Sequence, residues 1–184
     1  MADYKIIRWA VVRVLGFSWG LGGILAMLCF AIYRLAPMAY ELSGVSLTLI
    51  QWGALLFSII FMAYSEGYKG FHNGFAPRVV ARANYLKDNP LPLTTLLAPL
   101  FCMGFIYATR KRMIVSTALT LMIIFFVVVV RMFPQPWRGI IDAGVVVGLF
   151  MGVCSIVYYA TRSLVNPGSF AHSPEVPGSP PVSH

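Results

Sequence analysis

Residues 64–90, reading YSEGYKGFHNGFAPRVVARANYLKDNP, gather the side chains of this chain that are equipped for chemistry. Glu66 and His72 come first, followed by Asn73, Arg78 and Arg82. A carboxylate, an imidazole and guanidinium groups are what head-group or phosphoryl chemistry uses, to move protons and to grip phosphate oxygens. A second basic cluster, Arg110, Lys111 and Arg112, lies further along. Spacing weakens a catalytic reading: on an α-helix Glu66 and His72 point about 120° apart, so they form no ready acid–base dyad. They stand as weak catalytic candidates, and no catalytic residue is assigned. Arg78, Arg82, Lys87, Arg110, Lys111 and Arg112 are expected to meet anionic lipid head groups instead.

The same stretch has a second use. Continued as an α-helix past Ala63, it places Tyr64, Tyr68, Phe71 and Phe75 within about 60° of one another. Glu66, Lys69 and Asn73 fall on the opposite side, and Gly67, Gly70 and Gly74 share a third strip. Each glycine weakens an isolated helix by about 1 kcal/mol relative to alanine, so such a helix needs packing support. The pattern reads as an interfacial helix with aromatic anchors or, more sharply, as a docking face for a protein, lipid or quinone-like partner, made of Tyr64, Tyr68, Phe71, Phe75, Gly67, Gly70 and Gly74. Pro77 suits the first turn of a new helix. Residues 78–87 then read as a short basic amphipathic helix lying on the membrane surface, stopped at Asp88, Asn89 and Pro90.

What must position these groups is a membrane bundle. The 184-residue chain is 59% hydrophobic and 11% charged, against about 25% charged in a soluble domain. Apolar runs at about 14–33, 45–63, 91–109, 113–130 and 140–160, uncharged except for Asp142 near the start of the last, each approach the length that crosses a hydrocarbon core of about 30 Å. Lipid-exposed backbone must satisfy its own hydrogen bonds, which selects helices. The expected fold is an all-α integral membrane bundle of four to five transmembrane segments plus the interfacial helix. It forms one domain over 1–162, with 64–90 as the interfacial segment and 163–184 a Pro/Gly/Ser-rich tail, disordered unless bound. Gly16 and Gly20 form a GxxxG pair, and Gly144, Gly148 and Gly152 a double one. Small residues four apart let another helix approach closely, so both are helix-packing candidates. Gln51 falls within the second run, where it is expected to bond another helix or a backbone carbonyl.

The bases bear on the number of crossings, because Lys and Arg accumulate in cytoplasmic loops. With five spans and the N-terminus inside, Arg110, Lys111 and Arg112 fall outside. If 91–109 is re-entrant, eleven of the fourteen bases lie inside and only Arg34, Arg131 and Arg138 outside. Pro90, Pro92 and Pro99 suit a broken segment, whereas its length suits a crossing, so the count stays at four or five.

The net charge of +8 therefore reads as orientation and head-group attraction, not as nucleic-acid binding; no DNA- or RNA-binding motif is present. No apolar run carries a central carboxylate of the kind ion-coupled transporters use. No histidine lies in a run to hold haem. Cys29, Cys102 and Cys154 sit singly in separate runs, without metal-ligand spacing. No cofactor or metal is expected. The leading expectation is a non-enzymatic accessory, assembly or scaffold subunit, partnered by anionic bilayer and by other membrane subunits or itself. The location expected is a bacterial inner membrane with a cytoplasmic N-terminus. The alternatives are a small-molecule or lipid transporter component, for which Gln51, Ser116, Thr117 and Thr120 are the polar material, and an interface enzyme acting on head groups.

Overall fold

The computed structural model describes residues 2–89, 92–166 and 172–177, with side chains from Val12 onward. It is all-helical, and the described residues contain no strand. The helices are α1 (Ala2–Tyr40), α2 (Leu49–Met62), α3 (Ala76–Asp88), α4 (Pro92–Leu96), α5 (Ala98–Met103), α6 (Arg110–Val130) and α7 (Trp137–Val165). A 3-10 turn at Glu41–Gly44 follows α1, and a π-helical segment, Ala63–Phe75, joins α2 to α3.

Among the described residues, four helices are long and apolar enough to cross a membrane: Val12–Gly44, Leu49–Asp88, Arg110–Arg131 and Trp137–Val165. The 91–109 run is absent from this set. It is broken at Leu97 into α4 and α5, of 5 and 6 residues. At 1.5 Å per residue neither approaches the thickness of a bilayer. Pro99 sits at the start of α5, where its missing N–H costs nothing. Gly104, at φ +84, ends α5 in the left-handed conformation that glycine adopts freely. The helix lengths thus support four spans, not five.

Two other expectations change. Gln51 does not reach across to another helix. Because α2 starts at Leu49, Gln51 occupies its first turn and accepts a hydrogen bond from the Thr48 N–H at 2.9 Å, closing a capping box. The first helix runs on to Tyr40 through Pro37, past the end of the 14–33 apolar run.

The chain divides into two compact units. One comprises Met1–Ala26, Ala76–Ala118 and Ile156–His184. Its core includes Ile24, Val79, Val80, Ala83, Leu86, Phe101 and Ile156. The α1 glycines admit its neighbours: a Cβ on Gly16 would lie 3.2 Å from Leu86 Cγ, and one on Gly20 2.9 Å from Cys102 Sγ. Gly23 faces the ring of Pro99. Trp19 Nε1 donates to the Leu96 carbonyl at 3.1 Å, and Asn84 Nδ2 to Ser163 Oγ at 2.6 Å.

The other unit comprises Met27–Phe75 and Leu119–Ser155. Here α7 lays its glycines against α2 and the π segment: Gly144 faces Ser58 and Met62, Gly148 faces Met62 and Glu66, and Gly152 faces the Phe71 ring. At the end of α1, Gln135 Nε2 donates to Glu41 Oε2 at 2.8 Å and Gly139 packs on Leu42. Arg138 and Asp142, one turn apart on α7, pair at 3.7 Å.

Candidate functional site

The π segment re-sorts the side chains of 63–75. Its i→i+5 hydrogen bonds put more residues into each turn than an α-helix holds. Residues four apart therefore stay nearly aligned, while those three apart diverge. Tyr64, Tyr68 and His72 consequently stack as one column, with ring centroids 6.2 and 5.8 Å apart. Lys69 Nζ lies 4.9 Å over the Tyr64 ring. Phe71 turns onto Gly152 and meets Phe75 edge to face at 5.6 Å.

The expected single aromatic face is thus corrected to two. The tyrosines are exposed; the phenylalanines are half-buried. Gly67 is buried, and a Cβ there would sit 2.6 Å from Met151 Sδ. Gly67 and Phe71 are therefore occupied by this chain's own α7 and are not free for a partner. Gly70 is exposed and Gly74 half-buried. The two catalytic candidates have different neighbours: Glu66 packs against Gly148, whereas His72 Nδ1 lies 3.3 Å from Ser155 Oγ.

A second correction concerns α3. It is not a surface-lying helix: Ala76, Pro77, Val79, Val80, Ala81, Arg82, Ala83 and Leu86 are all buried. Arg82 is 2% exposed and so is no head-group ligand. Its guanidinium is spent on backbone. Nε donates to the Phe101 carbonyl at 2.6 Å, Nη1 to Pro174 at 2.6 Å, and Nη2 to Ile106 and Tyr107 at 2.8 and 3.0 Å. It also lies 4.3 Å over the Phe101 ring. A broken helix exposes carbonyls without intrahelical partners, and only arginine offers five donors in a planar fork. One side chain therefore ties the end of α5 and the loop after it to residue 174.

That tie corrects the tail as well. Residues 172–177 fold onto this unit, with Val176 buried, although their composition reads as disordered. The Thr109 N–H donates to the Glu175 carbonyl at 3.1 Å, and Arg112 Nε lies 3.7 Å from Glu175 Oε2. Glu175 itself sits at φ 49, a strained conformation for a residue with a Cβ. His172 meets Tyr159 edge to face at 6.1 Å. Burial, and then the Arg162 charge, lower the His172 pKa from its usual value. His184 and the expectation of disorder at 167–171 and 178–184 lie outside the described residues.

Between the tail and α6 opens a cleft of about 270 Å³, lined by Arg78, Thr109, Lys111, Arg112, Val115 and Glu175. Three of the six bases expected at head groups thus meet in one place. Arg110 and Lys87 are exposed. Of the polar residues considered for a transport path, Ser116 donates to the Met103 carbonyl at 3.0 Å and Gln51 caps α2. No group of three His, Cys, Asp or Glu residues among the described ones is placed to hold a metal ion. Comparison with known protein families, curated proteins and solved structures finds no match.

The buried arginine had a sequence signal. In VVARA, residues 79–83, the neighbours of Arg82 are small and apolar on both sides, which suits a core helix better than a solvated one.

Proposed function

We propose that this chain is a non-enzymatic accessory subunit of a membrane assembly, docking on other membrane helices through α2, the tyrosine column and α6. The observation that carries this reading is where its apolar surface lies. Among the described residues, α2 buries none of its side chains, and all of residues 121–128 in α6 are exposed. The glycine strip of α7, by contrast, is already filled from within the chain. The tyrosine column adds rigid amphipathic rings of the kind enriched at interfaces. The reading places the chain in a bacterial inner membrane with its N-terminus in the cytoplasm, following the distribution of bases.

The test is a photo-crosslinking residue at Tyr68 and, separately, at Phe125, activated in intact membranes. Both positions are expected to capture one discrete protein. Capture of lipid alone, together with a strictly monomeric particle in mild detergent, contradicts the proposal. A second reading, action on anionic head groups, is favoured by the basic cleft.

A further inference from the structure

The cleft holds an unbalanced set of charges. Arg78, Lys111 and Arg112 line it, and Glu175 is the one carboxylate among its lining residues. That leaves an excess of two positive charges in a space of about 270 Å³. Ligand clefts usually start at about 300 Å³, so this one suits a small polar group and not a drug-sized molecule.

Its donors point to the kind of group. Arg78 Nε is buried and has no hydrogen-bond partner. The Arg112–Glu175 contact at 3.7 Å is longer than a charge-assisted hydrogen bond, about 2.7–2.9 Å. The 21-residue α6 begins at this cleft, with Thr109 accepting from the Arg112 N–H at 3.4 Å. A helix start adds free N–H groups and the positive end of the helix dipole. Arg82 is committed to four carbonyls, so it shapes the walls and supplies no donor to the interior.

From these observations we propose that the cleft binds a phosphate monoester or free phosphate, in competition with the Glu175 side chain. A phosphate monoester carries about −1.5 to −2 charge at pH 7, which matches the excess. Its oxygens suit the forked donors of Arg78 and Arg112. Glu175, strained at φ 49 and only loosely paired, is a displaceable internal anion. The inference is independent of the docking reading.

The test uses the full chain in phosphatidylcholine nanodiscs. One arm titrates inorganic phosphate by calorimetry. The other adds phosphatidate, a monoester head group, and measures the lipid retained by native mass spectrometry. Arg78→Gln and Lys111→Gln are each expected to weaken binding about tenfold, the loss of one charge-assisted contact. Glu175→Gln is expected to strengthen it. Arg34→Gln, in the other unit, is expected to leave it unchanged, and circular dichroism verifies that each variant keeps its helices. Retention of phosphatidate without binding of inorganic phosphate assigns the ligand to the membrane. Binding of inorganic phosphate in neutral discs, with the same dependence on Arg78 and Lys111, assigns it to solution. Binding of neither, or binding indifferent to both substitutions, overturns the proposal.

Discussion

In the unit containing α3, four backbone carbonyls converge on the guanidinium of Arg82. In the unit containing α2, glycines 144, 148 and 152 of α7 leave room for Ser58, Met62, Glu66 and Phe71. The first arrangement is directional: each bond fixes a distance and an angle, and a lost partner leaves buried polar groups unpaired. The second is a matter of shape, where many weak contacts depend on the absence of a side chain. Directional bonding can hold an irregular chain in place, and here it holds the turn after α5 and the tail around a charged cleft. Shape packing suits long regular helices, and it leaves their other faces apolar and open. The basic cleft belongs to the first unit, and α2, which buries none of its side chains, to the second.

The contrast can be broken at several points. Arg82→Met should have the largest effect, because it strands carbonyls at Phe101, Ile106, Tyr107 and Pro174 together. A loss of about 3 kcal/mol or more is expected in unfolding followed in detergent. Arg82→Lys should recover only part of it, since an ammonium cannot reproduce the planar fork. Gly152→Leu comes next. Its Cβ alone would lie 2.7 Å from the Phe71 ring, and overpacking of this kind costs about 1–3 kcal/mol. Gly22→Leu is its control, because nothing lies within 4 Å of that position. Glu66→Gln and His72→Ala should each change stability by less than the glycine substitution. Under the accessory reading neither removes function, measured as recovery of the cross-linked partner.

The smallest effect concerns pH. His172 is disfavoured as a cation in the folded chain, since burial and Arg162 lower its pKa. The unfolded chain therefore takes up its proton first, and docking of the tail should weaken as pH falls through about 6.5. Protease sensitivity of the tail, with His172→Ala as the pH-independent control, checks the sign.

The four long helices were legible because an apolar run of that length with almost no charge has few alternatives. The break in 91–109 was half-legible: its prolines pointed to it, while its length argued for a crossing. Sorting residues 63–75 by an α-helical period failed because the segment is π-helical, and that change of period keeps residues four apart together while moving those three apart to different faces. Arg82 was misplaced because a charge ordinarily marks a surface. Its burial depends on carbonyls from residues 101, 106, 107 and 174, which no local window brings together. The packing of residues 172–177 was not legible for the same reason, since their partners are far away in sequence.

Among the described residues, four helices are long and apolar enough to cross a membrane, and residues 92–103 form only two short ones; from this we propose, as the central claim, that residues 91–109 do not cross and the chain crosses four times. Reporters fused before Met1 and after His184 test it directly. Four crossings predict that both report the same side of the membrane. Opposite sides would mean that residues 91–109 cross, and would contradict the account.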